Sequence, residues 1–318
     1  RWGVPWQSLF RRLSLPAVTL LRVSVVPYAL ILVTPGDPAE LVLQKQLGQP
    51  PTAEQVEAFR AQHGLDEPPH IQYVHWLGDL LQGDLGQSYY HERSVSELLV
   101  DRLPATLALA AGGLAVSLAV SLPTGILSAC RPHGCADHAS QVVALLGVAM
   151  PNFWIGYLLV FVFSLTLGVT PVYGSGTLGH LLLPSLTLGT GLAAVQTRLL
   201  RASLRDTLDA EFVTAARTRG LGERLVVYKH ALRNALLPLV TVLGLQLGFL
   251  LNGAVVVEVV FQRPGLGTLL INAVFDRNYP VVQGVTLLTG VLFVIVNTVT
   301  DLAYEQIDPR ITAGGETA

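Results

Sequence analysis

Residues 211–238, reading EFVTAARTRGLGERLVVYKHALRNALLP, form a polar and basic segment between two long apolar runs. The residue types in this segment favour binding over catalysis. Glu211 begins a short helical pattern and Gly220 ends it, while Arg217 and Arg219 lie in the last turn, where positive charge complements the helix dipole. A segment with this much charge cannot lie in hydrocarbon. The pattern therefore predicts a short helix displayed at a membrane surface.

One face of this predicted helix is suited to contact with another protein. Phe212, Ala215, Ala216 and Arg219 recur at helical spacing. The two alanines leave a shallow surface that a partner can approach closely, and alanines in an exposed basic loop have no core to pack against. We therefore predict a docking element.

Histidine and cysteine side chains are the remaining residues whose chemistry suggests a site, here a metal site. They fall in two groups: His63, His70, His75 and His91, and Cys130, His133, Cys135 and His138. The spacing within each group is irregular, and histidines in solvated loops are common. We therefore predict no metal site, and two cysteines are too few for a disulfide framework.

Motifs of the common catalytic sites are absent from the sequence. It contains no phosphate-binding loop of the G-x-x-x-x-G-K-[ST] type, no H-E-x-x-H, no zinc-ribbon cysteine pairs and no G-x-S-x-G. We predict that the chain is not an enzyme, has no catalytic residues and binds neither a cofactor of its own nor nucleic acid.

The elements that position the docking segment are membrane spans. The 318 residues are 51% hydrophobic and 13% charged, about half the charge of soluble domains. Six stretches have the length and composition of spans, at 16–34, 104–129, 142–167, 181–200, 236–257 and 281–304. Arg11 and Arg12 precede the first as in a signal peptide, but no small-residue cleavage site follows, so we expect it to be retained. Pro123, Pro151 and Pro184 should bend their helices.

Charge sets the predicted orientation. The N-terminus, the connection between the second and third spans and the connection between the fourth and fifth are basic, whereas residues 36–103 are acidic. By the positive-inside rule both termini face the cytoplasm. The fold class is all-α: about six transmembrane helices, an external cap between helices 1 and 2, and a cytoplasmic coupling helix between helices 4 and 5. The predicted domains are 1–35 (cytoplasmic N-terminus and first transmembrane helix), 36–103 (external cap) and 104–318 (five-helix core with a coupling loop at 201–235).

Two external segments have patterns of their own. Within the cap, one amphipathic helix should start at Thr52 and stop at Gly64, and a second is predicted in IQYVHWLGDLLQGDLG. Residues 258–280 have an apolar centre interrupted by prolines and glycines, which suggests a re-entrant or interfacial piece.

Ionisable residues are scarce within the predicted spans, where Arg22 is the main case. A proton- or sodium-coupled carrier would normally hold carboxylates or histidines in mid-membrane. The energy for any transport is therefore expected to come from elsewhere. An ATP-independent carrier or channel and a purely structural membrane protein remain as alternatives.

With these features together, the chain resembles the permease subunits of ATP-binding-cassette importers for oligopeptides, dipeptides and nickel. The family's coupling loop has Glu-Ala-Ala, three residues, then Gly, and Thr214, Ala215, Ala216 and Gly220 hold those places. Thr214 stands where Glu is commonest. The peptide branch instead resembles [DE]-[YF]-V-x-x-A-R-x-[KR]-G, which this chain matches from Glu211 to Gly220.

Further stretches resemble the family in the expected order: TPGDPA, GLDEPPHIQYVHWLGDLLQGDLGQS, ERSVSELLVDRLPATLAL, FQRPGLG, RNYPVVQG and DLAYEQIDPRI. The resemblance implies half of a translocation pathway in the bacterial inner membrane. The implied substrates are di- or oligopeptides, with nickel or another small solute as the alternative. It also implies a sister permease, two cytoplasmic ATPase subunits that bind ATP and Mg, an external substrate-binding lipoprotein and membrane lipid as partners.

The resemblance assigns roles to particular residues. ATPase coupling falls to Glu211, Phe212, Thr214, Ala215, Ala216, Arg217, Arg219 and Gly220. For the two arginines, a purely topogenic role is the alternative. Candidates for an external gate or delivery surface are Pro264, Gly265, Gly267, Asp276 and Arg277, with simple turn roles as the alternative.

Overall fold

A computed structural model describes residues 18–29, 33, 35–90 and 93–307, with side chains up to residue 300. The regular structure of these residues is helical. Two residues, Gln87 and Ser94, pair in an isolated antiparallel β-bridge. The predicted all-α class is therefore confirmed. The helices are α1 Val18–Ala29, α2 Pro38–Leu47, α3 Ala53–Gln62, α4 Pro69–Leu81, α5 Val95–Cys130, α6 Cys135–Ala149, α7 Asn152–Leu159, α8 Leu178–Leu208, α9 Glu211–Thr218, α10 Glu223–Leu225, α11 Leu232–Val260, α12 Leu266–Phe275 and α13 Tyr279–Ile307.

Two stretches continue neighbouring helices with π-helical geometry. Val160–Thr166 extends α7, and Val226–Ala231 joins α10 to α11 into one continuous helix from Glu223 to Val260. Single π-helical turns within α-helices are frequent at functional sites. The second stretch closely follows the segment in which the sequence predicts a docking helix.

The chain divides into two compact units. One comprises Arg1–Pro104 with Pro264–Val294, and the other comprises Ala105–Arg263 with Ile295–Ala318. The three domains expected from the sequence, at 1–35, 36–103 and 104–318, stay a prediction.

Short helices in the first unit are fixed by their caps. The Asp37 carboxylate accepts from the Ala39 backbone N–H at 3.2 Å and pairs with Arg60 at 2.7 Å, which ties the start of α2 to α3. Thr52 and Gln55 form a reciprocal capping box at the start of α3. The predicted start of a helix at Thr52 is thereby confirmed. The second helix predicted in this segment corresponds to α4.

Helices of transmembrane length dominate the rest of the described residues. Four are long and apolar enough to span a membrane, namely Val95–Cys130, Leu178–Leu208, Glu223–Val260 and Tyr279–Thr300. A fifth results if α6 and α7 are counted as one span. α1 is shorter, and the remainder of the predicted first span is outside the described residues. The number six therefore stays a prediction.

The bend predicted at Pro151 is confirmed, and it divides the predicted third span at 142–167 into two helices. The helix begins earlier, at Cys135, and a bend of 109° separates Cys135–Ala149 from Asn152–Thr166. Pro151 lies at this break with φ −62° and ψ 140°. The proline ring disfavours helical geometry at the preceding residue, and Met150 is accordingly extended. Because the helix begins at Cys135, His138 lies in α6, although a loop was expected there.

Small residues let α5 and α8 approach closely in the second unit. A Cβ atom added at Gly189 would lie 2.6 Å from the backbone oxygen of Gly113 and 2.8 Å from the Val116 side chain. Gly189 therefore has no room for a side chain, and the two helices touch through backbone. This is the close packing that small residues permit in membrane helices.

Buried amides and hydroxyls join three of the long helices. Gln196 on α8 donates to Ser117 on α5 at 3.2 Å and to Gln246 on α11 at 2.8 Å, and Ser121 donates to Gln196 at 2.9 Å. Gln196 is fully buried. Because unsatisfied polar groups are costly in hydrocarbon, this network fixes the relative register of α5, α8 and α11.

We predict that Gly189→Ala destabilises the protein by about 1–3 kcal/mol, because the added methyl group forces α5 and α8 apart. Gly78→Ala on α4 is the matched control, since a Cβ atom added there would have no other atom within 4 Å. Thermal unfolding of the two purified variants in detergent measures the difference. Equal melting temperatures would contradict the close contact.

Candidate functional site

The segment singled out by the sequence forms α9, flanked by two well-defined turns. α8 ends at Leu208, and α9 begins after Ala210, whose φ of −71° and ψ of 149° are extended. Gly220 ends the segment with a φ of +80°, a left-handed conformation that favours glycine. The predicted start at Glu211 and stop at Gly220 are confirmed.

The inner face of α9 packs against the protein's own core. Val213 is fully buried and Ala216 is 8% exposed. Both belong to a cluster that includes Leu204 of α8 and Ala235 and Leu239 of α11. The expectation that Ala216 has no core to pack against is therefore wrong. Its small side chain lets α9 lie close to the two long helices.

The outer face of α9 consists of Glu211, Thr214, Ala215 and Thr218, all exposed. Their spacing of i, i+3, i+4 and i+7 places them on one side of the helix. Phe212, 46% exposed, lies on the flank. The exposed face therefore differs from the face predicted from the sequence. Ala215 lies on the exposed face, whereas Ala216 does not. Its centre is small and polar, with one acidic residue in the first turn.

Arg217 closes the turn that follows α9. Its Nη2 and Nε donate to the two Glu223 carboxylate oxygens at 2.7 and 3.2 Å, and Nη1 donates to the Leu208 carbonyl at 3.3 Å. The hydrogen bond to Glu223 raises the pKa of the Arg217 guanidinium. Arg217 therefore ties the end of α8 to the start of α10 across α9. Arg219, at the C-terminal cap, is exposed.

A buried ion pair connects α8 to α6. Its arginine lies two turns before the end of α8. Arg201 Nε and Nη2 donate to the two oxygens of Asp137 on α6 at 2.6 and 2.8 Å, and the Asp137 side chain is 1% exposed. Gln141 and the backbone N–H of His133 also donate to this carboxylate, at 2.9 and 3.0 Å. The Ser128 hydroxyl of α5 is a further donor. Both carboxylate oxygens are thus engaged, and α5, α6 and α8 are joined.

Sequence reasoning missed Asp137 and Glu258. Asp137 lies in the first turn of α6 and Glu258 in the last turn of α11. The expectation that no carboxylate lies in the middle of a span therefore stays a prediction. Glu258 is fully buried and accepts from Thr106 at 2.6 Å. For Glu258, the signal available in the sequence was a single acidic residue within the apolar run VVVEVVF.

Arg263 follows α11 and is 5% exposed. Its Nη1 donates to the His180 carbonyl at 2.9 Å, and its Nε has no hydrogen-bond partner among the described residues. Burial lowers the pKa of this guanidinium. Within its unit, Arg263 ties the end of α11 to the start of α8.

The residues proposed from the sequence for an external gate surround α12. Gly265 is its N-terminal cap, Gly267 lies buried in its first turn, and Pro264 precedes both. Asp276 ends the helix and pairs with Lys45 of α2, and Arg277 has a positive φ of 55°. The short helix α12 agrees with the expected non-spanning piece. The gate role of these five residues stays a prediction.

Among the described residues, no group of three or more His, Cys, Asp or Glu side chains is arranged to hold a metal ion. Cys130 and Cys135 are both exposed thiols. The arrangement around α9 offers an exposed surface together with ion pairs and hydrogen bonds that connect it to α8 and α10.

Sequence profiles of two protein families match the chain. Residues 121–313 match the family described as "Binding-protein-dependent transport system inner membrane component". Residues 6–110 match the family described as the N-terminal part of a binding-protein-dependent transport system membrane component. Together the two matches extend over most of the chain.

Named relatives are similar along nearly their whole length. The glutathione transport system permease protein GsiC of Escherichia coli (strain K12) is 41% identical over 293 residues, covering 92% of this chain and 94% of that protein. The oligopeptide transport system permease protein AppB of Bacillus subtilis (strain 168) is 37% identical over 314 residues, covering 95% of this chain and 98% of that protein.

A similar fold occurs in a solved structure described as inward facing conformations of the MetNI methionine ABC transporter. The TM-score is 0.56 at 19% sequence identity, covering 66% of this chain and 96% of the matched chain. At this identity the likeness concerns the fold alone.

We predict that Arg201→Met destabilises the protein by about 3–5 kcal/mol, because it leaves the buried Asp137 carboxylate without its charged partner. Thermal unfolding in detergent measures the loss. Arg198→Met, which replaces an exposed arginine on the same helix, is the control and should cost far less. Adding Asp137→Asn to Arg201→Met should recover part of the loss. Equal effects of the two single arginine variants would contradict the role of the ion pair.

Proposed function

The chain belongs to the family of binding-protein-dependent transport system inner membrane components, and we propose that it forms half of the translocation pathway of an ATP-driven peptide importer. It is a multi-pass transmembrane permease subunit of an ABC importer. The proposal concerns its substrate, its partners and the way in which a motor moves it. The observation that carries it is the two-sided α9, with one face packed into the chain's own helices and the other exposed and small.

The outer face of α9 is proposed to lie in a cleft of a cytoplasmic ATPase subunit. A face built from Glu211, Thr214, Ala215 and Thr218 has short side chains at its centre, so a partner can approach the backbone closely. ATP and Mg are bound by that partner. Within this chain, α9 supplies binding only.

The inner face is proposed to transmit the motion. Val213 and Ala216 are embedded among Leu204 of α8 and Leu239 of α11. A displacement of α9 is not absorbed within a buried cluster, because protein interiors have low compressibility. The displacement is therefore passed to α8 and α11, and the Arg217 bonds to Glu223 and to the Leu208 carbonyl keep the segment from turning alone.

The same movement reaches further helices through polar links. Arg201 connects α8 to Asp137 on α6, and Gln196 connects α8 to α5 and α11. Motion of α8 thus shifts α5, α6 and α11 as one body, and closing of the ATPase dimer is proposed to switch the pathway by such rigid-body rotation.

Peptides are the proposed substrate class. The relatives named above are permeases of oligopeptide and glutathione transport systems, and glutathione is itself a short peptide. A sister permease is proposed to supply the other half of the pathway, with two ATPase subunits or domains inside and a substrate-binding lipoprotein outside. The proposed orientation in the bacterial inner membrane has both termini and α9 in the cytoplasm.

We predict that Ala215→Trp lowers both uptake and the amount of ATPase that co-purifies with this chain by about tenfold, the equivalent of losing about 1.4 kcal/mol of binding. Ala215 is exposed at the centre of the outer face, so an indole there blocks close approach without disturbing the core. Affinity purification followed by quantitative immunoblotting measures the co-purified ATPase.

Ala61→Trp on α3 is the matched control, because it places the same side chain at another exposed helical position. It should leave co-purification unchanged. Gly220 is unsuitable for such a test: its φ of +80° means that any side chain strains the backbone, whether or not a partner docks there. Normal ATPase recovery with Ala215→Trp would refute the docking surface.

The proposed orientation can be tested on the natural cysteines. Cys130 and Cys135 are the chain's two cysteines, and both are exposed. A membrane-impermeant maleimide should label them in inside-out vesicles and leave them unlabelled in intact spheroplasts. Ala61→Cys in a background where both are serine should show the reverse pattern. Labelling of Cys130 and Cys135 from outside would overturn the orientation.

A further inference from the structure

A cavity of about 340 Å³ lies within the unit that contains α1 to α4. Its walls include four aromatic side chains, Tyr28, Trp76, Tyr89 and Tyr279. This volume falls in the range of small-molecule sites, which are commonly apolar with a few convergent polar groups. We call it the aromatic cavity.

Two polar residues in the wall of the aromatic cavity are mostly buried. Gln283 is 6% exposed and Tyr279 is 8% exposed. Neither the Gln283 amide nor the Tyr279 hydroxyl forms a hydrogen bond with any described residue, although both residues line the cavity. Trp76 Nε1 also lines the cavity and is buried without a hydrogen-bond partner among the described residues. Buried polar groups are normally paired. An amide and a phenol that line a cavity and form no hydrogen bond are suited to bind a polar ligand.

The charge of the lining favours a cation. Glu67 and Asp79 contribute carboxylates, and among the described residues no lysine or arginine lines the cavity. Burial lowers the pKa of His63, so its imidazole is neutral near pH 7. His75 Nδ1 lies 2.9 Å from Glu67, where both side chains are exposed, and Asp79 forms no ion pair within the described part of the chain.

Aromatic faces add to this preference. A cation over a tyrosine or tryptophan ring is attracted by the negative face of the ring, most strongly where water is displaced. Burial also raises the pKa of Tyr89, so its phenol stays neutral and cannot itself supply the negative charge. The cavity thus combines aromatic walls, a neutral amide and phenols inside, and carboxylates at the rim.

We propose that the aromatic cavity binds a primary ammonium group, and that its bearer in transport is the amino-terminal end of a short peptide. An ammonium group offers three N–H donors to the Gln283 amide oxygen, the tyrosine hydroxyls and the rim carboxylates. The choice of a peptide as the bearer of the ammonium group rests on the proposed function. The binding of an ammonium group is independent of the proposed function, because it is argued from the residues that line the cavity.

The test is equilibrium binding to the full chain in lipid nanodiscs, without nucleotide, with radiolabelled dialanine as the probe. Competition by unlabelled dialanine, N-acetyl-dialanine and methylammonium separates the contributions. We expect dialanine to compete, and N-acetyl-dialanine, which has no ammonium group, to compete about tenfold more weakly. Methylammonium should compete more weakly than dialanine, because it lacks the peptide.

Variants locate the site. Neutralising the rim with Glu67→Gln and Asp79→Asn should weaken dialanine binding about tenfold, and Tyr279→Phe should weaken it while keeping the ring. Glu57→Gln removes an exposed carboxylate of α3 that does not line the cavity, and should leave binding unchanged. Thermal unfolding of each variant verifies that the fold is retained.

The possible results separate the two parts of this proposal. Equal competition by N-acetyl-dialanine, an absence of dialanine binding, or unaltered binding by the rim variant would each overturn the ammonium site. Methylammonium competing as well as dialanine would keep the ammonium site and overturn the peptide as its bearer. None of these results depends on ATPase docking at α9, so failure here and failure of the proposed coupling are separately visible.

Discussion

The structure depends on one constraint: a polar group inside a membrane must find its partner within the protein. In the second unit this constraint is met at a few places, each of which joins helices that are distant in sequence. Asp137 and Arg201 join α6 to α8, Gln196 joins α8 to α5 and α11, and Thr106 joins α5 to Glu258 on α11. Apolar packing holds helices together without specifying their alignment, and these polar contacts specify it.

The short helix α9 likewise depends on contacts with the rest of the protein. α9 is too short to be stable alone, since isolated helices of this length are marginal in water. Its stability comes from Val213 and Ala216 in the core cluster and from the bonds of Arg217. A segment anchored in this way is displayed in a fixed position while its other face stays available. Rigidity and exposure are both needed if an external force is to move the long helices.

Much of this arrangement could be predicted from the sequence. Apolar runs indicate the long helices, and the glycine and charge pattern locates α9 between Glu211 and Gly220 because helix ends have strong local signals. The inward side of α9 could not be predicted, because an alanine is compatible with either face. The 109° bend at Pro151 is larger than the sequence indicates, since a proline predicts a bend but its size depends on neighbouring helices. Asp137 was missed because its partner, Arg201, lies 64 residues away.

The backbone contact between Gly113 on α5 and Gly189 on α8 has a mechanical consequence. Helices in contact usually adapt to small displacements by changing side-chain rotamers, which lets one slide along the other. Where the Gly113 carbonyl meets the Gly189 backbone, no side chain is present that could rearrange. α5 and α8 therefore cannot slide gradually along each other at this point. The two helices have to move together there, so the contact passes a displacement of one helix directly to the other.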